Sequence, residues 1–354
     1  METQPANVPM NIRLASCLIA CALAFAATPA TAADDDVATF YKGRTIQVTS
    51  AFAEGGLYST MTRLVAEHLP RHLPGRPHGI PQSMPGAAGL RQTNHLYNVA
   101  PRDGTVVGLM YDNVPASQVM GVDDNIRFDA RRFGVLGSIG RGETALISIL
   151  KRAGVATLDE ARRKPVVFGA TGTSSGQYYL PNMMNKLFGT RFKIIPGYKT
   201  MAEMFLSMER GEVDGVSGAV EAVLEGRPQW IAELRFNYLA QLYDERPAQF
   251  ADIPLLQELA QTPLDKGAFR FLALARVPGK IVLAPPDVPP ARLAALREAF
   301  ATMVRDPAFI ADVSKTSQRL EPRTWQDAEQ VIRETIDTPP EVVAHVRELL
   351  KVGN

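Results

Sequence analysis

The fold class is decided by the stretch Val48-Thr-Ser-Ala-Phe-Ala-Glu-Gly-Gly-Leu-Tyr-Ser-Thr-Met-Thr-Arg-Leu-Val-Ala-Glu-His-Leu69. A short β-prone run over residues 45–49 enters a Gly-Gly loop, and the loop leads directly into an amphipathic helix predicted over residues 59–69. Such a turn places backbone N–H groups and the positive end of a helix dipole at one point, which favours a bound anion. The stretch therefore predicts a strand-loop-helix unit that can cradle a small acid.

Two further loops of this kind are Pro85-Gly-Ala-Ala-Gly89 and Gly169-Ala-Thr-Gly-Thr-Ser-Ser-Gly176. None of the three loops contains lysine or arginine, and none carries an obvious catalytic residue. We therefore expect recognition by dipoles and hydroxyl groups rather than by full charges, which favours reversible capture. The pattern predicts a protein that holds a small acid rather than one that transforms it.

The composition sets limits on the class of protein. A length of 354 residues is typical of two domains, and 46% hydrophobic with 21% charged residues is typical of a globular chain. The formal net charge of +1 argues against a nucleic-acid partner, because such proteins normally carry a basic excess.

The first 33 residues have the pattern of a secretory signal peptide. Arg13 precedes an apolar run over residues 14–27, and a small-residue cleavage site follows, with cleavage expected after Ala32 or Ala33. Both cysteines, Cys17 and Cys21, lie in this leader, so the mature chain is expected to have no thiol. Cys21 also loosely resembles a lipoprotein signal, but lipid anchoring is the less favoured alternative. No later segment is long and apolar enough to span a bilayer.

Strand-like and helix-like segments alternate through the middle of the chain. Thr157 and Glu160 form a predicted capping box, and Gly189 and Gly211 end two further helices. This βαβ rhythm predicts an α/β fold with a largely parallel sheet and helices on both faces. A proline-rich break at residues 285–290 precedes a tail with helices predicted over residues 291–305, 325–334 and 340–350.

Five short motifs occur in an order that is typical of one family. They are Ala51-Phe-Ala-Glu-Gly-Gly-Leu-Tyr-Ser59, Pro85-Gly-Ala-Ala-Gly89, Ala100-Pro-Arg-Asp-Gly-Thr105, Gly211-Glu-Val-Asp-Gly215 and Leu283-Ala-Pro-Pro-Asp-Val-Pro289. Each motif is weak alone, but the five in this order behind a signal peptide are specific. Over nearly everything after the leader, the chain resembles the Bug/TctC family, the extracytoplasmic solute receptors of tripartite tricarboxylate transporters.

The resemblance implies a type II periplasmic-binding-protein fold, in which two α/β lobes trap a ligand in the cleft between them. Lobe one is expected at residues 37–139 plus 276–354, and lobe two at residues 140–275. The family further implies a periplasmic monomer that binds a small organic acid without a cofactor or a metal. Its partners would be the membrane permease subunits of the transporter, not a nucleic acid, and it would not be an enzyme.

The resemblance also implies which residues contact the ligand. In lobe one the candidates are Ala53, Gly55, Tyr58, Ser59, Gly86, Ala87 and Ala88. In lobe two they are Thr171, Thr173, Ser174, Tyr198 and Asp214. Tyr198 is alternatively a core residue, and Asp214 is alternatively a structural cap or a hinge contact.

The first loop departs from the family pattern at three positions. Glu54 replaces a proline, Leu57 replaces the third glycine and Ser59 replaces the usual aspartate. A carboxylate at Glu54 would repel an anion if it faced the cleft and would have no effect if it faced solvent. The departures leave three alternatives open: a ligand other than citrate, a less charged ligand, or a receptor that has lost its function.

Other functions are compatible with parts of this pattern. A sensor module would present the same kind of ligand to a receptor kinase, and the sequence does not separate it from a transport receptor. A secreted hydrolase is disfavoured, because residues 172–176 are spaced one residue too widely for the Gly-x-Ser-x-Gly nucleophile turn. His68 and His72 have a metal-binding i,i+4 spacing, but Pro70 between them breaks the helix, so no metal site is expected.

Overall fold

The computed structural model describes residues 36–52, 57–112, 114–121, 125–140, 142, 144–173, 175–219, 229, 235–316 and 320–351. The predicted signal peptide and its two cysteines lie outside these residues. Across the described part of the chain, no helix combines the length and the apolar character needed to cross a membrane.

Strands form two separate five-stranded sheets. In chain order they are β1 (Thr45–Ser50), β2 (His78–Ser83), β3 (Val106–Met110), β4 (Gly134–Ser138), β5 (Ala145–Leu150), β6 (Val166–Ala170), β7 (Phe192–Pro196), β8 (Gly215–Ala219), β9 (Phe236–Leu242) and β10 (Ile281–Ala284).

Helices cover the faces of both sheets. In chain order they are α1 (Val37–Tyr41), α2 (Leu57–His68), α3 (Leu90–Asn98), α4 (Val114–Met120), α5 (Leu158–Arg163), α6 (Gly176–Phe188), α7 (Met201–Arg210), α8 (Leu256–Leu259), α9 (Pro263–Leu274), α10 (Pro290–Met303), α11 (Pro307–Ser314), α12 (Trp325–Ile336) and α13 (Pro340–Leu350).

The predicted α/β class is confirmed, and each sheet is mixed, because four of its five strands point one way and the fifth runs against them. Sheet one has the order β2-β1-β3-β10-β4, and sheet two has the order β7-β6-β8-β5-β9. Strand β10 runs antiparallel to both of its neighbours, and so does β5. Each of these two strands enters its sheet from the other half of the molecule, so its direction is not set by a βαβ crossover. The parallel pairs β1–β2, β1–β3, β6–β7 and β6–β8 are the ones that the local rhythm predicts.

Both sheets are buried on two faces. In β3 every residue is buried: Val107 and Leu109 pack in one apolar cluster with α2 and α10, whereas Val106 and Met110 pack in another with α3 and α12. Sheet two is likewise covered on both sides. Burial on both faces explains why these strands are continuous apolar runs rather than alternating ones.

Two chain segments connect the sheets. The first crossing, residues 139–144, joins β4 to β5, and the second crossing, residues 275–280, joins α9 to β10. The crossings lie against each other: the Ser138 hydroxyl is 2.7 Å from the carbonyl oxygens of both Gly140 and Pro278. An ideal Cβ built on Gly142 would lie 1.5 Å from the carbonyl oxygen of Arg276. Only glycine therefore fits at position 142 without moving the backbone of the second crossing.

The last helix packs on the second sheet's side of the molecule. Residues Val342, Val346 and Leu349 of α13 belong to the apolar cluster of sheet two, and Lys186 of α6 donates to the Leu349 carbonyl at 2.9 Å. The predicted lobe boundaries assign this helix to lobe one. Those boundaries stay a prediction, and the packing of α13 argues for placing its residues with lobe two.

We expect Gly142→Ala to lower the free energy of unfolding by about 1–3 kcal/mol, because the new methyl group would overlap a backbone oxygen that cannot rotate away. Urea denaturation measures the change. Gly172→Ala is the matched control, since a Cβ there meets nothing within 4 Å. Equal stability of the two variants would contradict the close approach of the two crossings.

Candidate functional site

The loops that follow β1 and β2 meet at the carboxyl edge of sheet one. The Ser83 hydroxyl donates to the Phe52 carbonyl, and the Met84 amide donates to the Ser50 carbonyl at 2.7 Å. Tyr58 and Ser59 lie in the first turn of α2, where Tyr58 is half-buried and Ser59 is buried. In open α/β sheets, ligands bind beyond the carboxyl ends of the parallel strands, so these residues lie where a site is expected.

The second loop has an unusual backbone. Gly86 and Gly89 have φ values of 139° and 94°, and Ala87 has φ of 47° although it carries a side chain. An ideal Cβ on Gly89 would be 3.3 Å from the Tyr111 Cβ, so the loop packs closely against the end of β3. Left-handed non-glycine residues are uncommon and concentrate at functional sites, so Ala87 supports the candidate site in this loop.

Three aromatic rings from different segments form one group at this edge. In this aromatic cluster (Phe52, Tyr58 and Tyr111) the ring centroids lie 4.5, 5.1 and 5.7 Å apart. The Lys280 ammonium lies 5.4 Å from the centroid of the Tyr58 ring, within the range of a cation–π contact. Lys280 is only 9% exposed. The second crossing thus places a positive charge beside the aromatic cluster.

The carboxyl edge of sheet two carries the third predicted loop. The Thr171 hydroxyl donates to the Gln177 side-chain oxygen at 2.7 Å, and Thr173 is exposed. The Tyr198 amide donates to the Ala170 carbonyl at 3.2 Å, and the Tyr198 side chain packs against an apolar cluster beside sheet two. The structure therefore brings Thr171, Thr173 and Tyr198 to one edge, with Tyr198 half in the core.

The second crossing also brings a cation near this edge. Tyr179 lies in the first turn of α6, and the Arg276 guanidinium is close enough to act on the pKa of its phenol. Burial raises the pKa of the Tyr179 phenol, the positive charge of Arg276 opposes that rise, and the negative charge of Asp112 adds to it. Asp112 follows β3 of sheet one, so the carboxyl edges of the two sheets lie close enough to interact electrostatically.

The Gly211–Gly215 motif forms a turn at the opposite end of sheet two. Asp214 directly precedes β8 and accepts a hydrogen bond from Arg152 at 2.7 Å. The carboxyl end of β8 is five residues further on, roughly 17 Å away at 3.3 Å per residue. The structure therefore does not bring Asp214 together with Thr171, and its contacts match the structural alternative.

Several residues that were predicted to contact the ligand lie outside the part of the chain that the structure describes. Ala53, Gly55 and Ser174 lie outside the described residues, as does the departure at Glu54. The side chains of Ala88 and Leu57 are not described either, although their backbones belong to helical turns.

One group of possible metal ligands occurs among the described residues. Ligand atoms of Glu67, His68 and Asp312 lie within 4.8 Å of one another, and His68 is fully buried. The Lys315 ammonium donates to Asp312 at 2.8 Å and is the first cause of the lowered pKa of that carboxyl. A lysine at this carboxylate opposes a metal ion, so the group is better explained as a structural ion-pair network.

The sequence pattern missed the two cations. Its loops contain no lysine or arginine, but Arg276 and Lys280 reach the site from the second crossing, which is distant in sequence from every loop. One local signal was present: Lys280 is a single charge directly before the buried strand Ile281–Ala284. The site therefore contains full positive charges as well as the backbone dipoles and hydroxyl groups that the sequence predicted.

Family models and curated protein sequences give no match to this chain. Solved structures do match. The comparison with a TctC solute-binding protein from Polaromonas gives a TM-score of 0.66 at 18% identity, covering 88% of this chain and 99% of that chain. This chain has the fold of a periplasmic solute-binding protein of the TctC type. The fold that the family resemblance implies is thus confirmed.

Two further matches were determined with bound acids. R. palustris Rpa4515 with adipate has a TM-score of 0.54 at 17% identity, covering 87% of this chain and 97% of that chain. MatC (Rpa3494) from Rhodopseudomonas palustris with bound malate has a TM-score of 0.52 at 16% identity, covering 87% and 99%. At these identities the likeness shows a shared fold and nothing more specific.

The turn before β8 gives a pH prediction. A hydrogen bond from Arg210, supported by Ser207, lowers the pKa of Glu212 from 4.5 to about 2. Because the folded-state pKa is the lower one, the contribution of Glu212 to stability is present above pH 4.5 and is lost as the pH falls towards 2. Carbon-detected NMR titration should show its midpoint below those of exposed glutamates, and Arg210→Gln should raise it. An unchanged midpoint in the variant would contradict the assignment.

Proposed function

We propose that this protein is a periplasmic solute-binding protein that captures a small carboxylate for a tripartite tricarboxylate transporter. The observation that carries the proposal is that the candidate residues lie at the carboxyl edges of the two sheets, where the second crossing brings Lys280 to the Tyr58 ring and Arg276 near Tyr179. This arrangement places helix N-termini, hydroxyl groups and two cations around one region. Such a region suits an anion.

Capture would use both lobes. The N-termini of α2 and α6 point the positive ends of their dipoles to the carboxyl edges, and each can stabilise a negative charge. Residues Tyr58, Ser59, Gly86 and Ala87 would contact the ligand from lobe one, and Thr171 and Thr173 from lobe two. Hinge closure about the two crossings would then bury the carboxylate, as in other proteins that bind a ligand between domains.

The contacts of the third loop favour binding over catalysis. The Ser175 hydroxyl donates to the Gly172 carbonyl at 2.7 Å, and the Thr171 hydroxyl donates to Gln177. A nucleophilic hydroxyl needs a base within hydrogen-bond reach, whereas these two donate their protons to an amide and a carbonyl oxygen. We therefore propose that this loop binds a ligand and does not catalyse a reaction.

Export and delivery rest on the sequence. The signal-peptide pattern of residues 1–33 would send the chain across the inner membrane, and the family resemblance implies permease subunits as the partners. Malate and adipate, the acids bound to two proteins of similar fold, are the natural first ligands to test.

A thermal-shift panel tests the proposal on residues 34–354, unfolded and refolded to remove any carried-over ligand. The panel contains malate, adipate, citrate, benzoate and several amino acids. A ligand at about 100 times its dissociation constant adds roughly 2.7 kcal/mol to the free energy of unfolding, which is a readily measured increase in Tm.

Adipamide is the matched control for adipate, since it has the same chain without the charges. Stabilisation by a carboxylate and not by its amide supports the proposal. If no carboxylate stabilises the refolded protein, the proposed function is wrong.

A further inference from the structure

We propose that Lys280 and the aromatic cluster together select an aromatic monocarboxylate as the ligand. The inference rests on the proposed function and deepens it by naming the class of acid. In this arrangement the Lys280 ammonium binds the carboxylate, and the ring of the ligand packs against the rings of Phe52, Tyr58 and Tyr111.

Backbone pairing fixes where Lys280 lies. Ile281, the first residue of β10, pairs with Met110, the last residue of β3, so Lys280 is level with Tyr111 just beyond the carboxyl edge of sheet one. On the other side, the Ile139 amide donates to the Lys280 carbonyl at 3.0 Å. The Lys280 side chain therefore starts from backbone that is hydrogen-bonded to the first crossing and adjoins β10, and not from a mobile loop.

Burial makes this lysine costly. Taking an ammonium group out of water destabilises a protein unless the charge gains compensating interactions, and lysine is rarely so buried. An ammonium group has three N–H donors, so Lys280 can bind a ligand carboxylate in addition to its contacts within the protein. In a partly dry site that hydrogen bond is charge-assisted at both ends, which makes it strong.

The aromatic cluster supplies the complementary surface. All three rings are half-buried, and Tyr111 meets the other two nearly edge-on, at interplanar angles of 83° and 77°. Phe52 and Tyr58 are closer to parallel, at 33°. The cluster thus offers both ring faces and ring edges at the surface, and either geometry is favourable for a further aromatic ring.

Charge favours a single carboxylate. Asp112 directly follows Tyr111 and is close enough to Tyr179 to raise the pKa of that phenol. A second carboxylate that approached Asp112 would meet a like charge, and like charges at short range disfavour binding.

The experiment compares benzoate with cyclohexanecarboxylate by isothermal titration of refolded residues 34–354. The two acids have the same charge and nearly the same size, but only benzoate has an aromatic face. We expect benzoate to bind about 2- to 10-fold more tightly, the range that aromatic pairs contribute. Tyr111→Leu should weaken that preference while leaving an affinity for both acids.

Lys280→Met tests the charge. We expect the affinity for benzoate to fall about 10- to 100-fold, the range for a hydrogen bond between charged groups. Lys280→Arg should keep part of the affinity, because it keeps the charge. Lys42→Met is the matched control, since Lys42 is exposed at the end of α1. Urea denaturation without ligand confirms that each variant is folded.

The outcomes separate this inference from the proposed function. Benzoate binding that needs Lys280 and is tighter than cyclohexanecarboxylate binding supports the inference. Binding of malate or adipate that is unchanged in Lys280→Met, with no binding of benzoate, overturns the inference and leaves the carboxylate receptor in place. Failure of every carboxylate to bind overturns both.

Discussion

The rest of the structure depends on the close contact between the two crossings. With glycine at position 142, the first crossing can lie directly on the carbonyl oxygen of Arg276, and Ser138 ties both segments together. This contact fixes the point at which β10 enters sheet one. The direction of β10, the register of Ile281 against Met110 and the position of Lys280 all follow from that point. The close contact between Gly142 and the Arg276 carbonyl thus determines how the sheets are joined and where the Lys280 charge lies.

Local signals in the sequence predicted the elements that are built locally. The capping box of Thr157 and Glu160 is present, and α6 ends at Gly189 with the expected left-handed residue. Strands β2 and β10 carry weaker local signals and were not predicted. Strand β2 contains Pro81, which is tolerated because β2 is an edge strand that pairs only with β1, and β10 is only four residues long. The directions of β5 and β10 could not be predicted either, since these strands take theirs from the crossings.

In the candidate site, too, the residues of local motifs were predicted and those that arrive by tertiary pairing were not. The motifs predicted the loops at the carboxyl edges, and the structure brings Tyr58, Ser59, Gly86 and Ala87 together at one edge and Thr171 and Thr173 at the other. The position of Asp214 followed the structural alternative, because its motif lies at the amino end of β8. Lys280 and Arg276 reach the site only through tertiary pairing, and no spacing in the chain connects them to the loops that they face.

The packing of α13 has a consequence for how the chain folds. The cluster beside sheet two contains Val342, Val346 and Leu349, although the strands of that sheet end at Leu242. Arg347 also donates to the Met120 carbonyl at 2.8 Å, so the same helix holds α4. During synthesis, all strands of sheet two are therefore made about 100 residues before their apolar cover is complete. Until α13 has left the ribosome, the part of this cluster that α13 covers stays exposed.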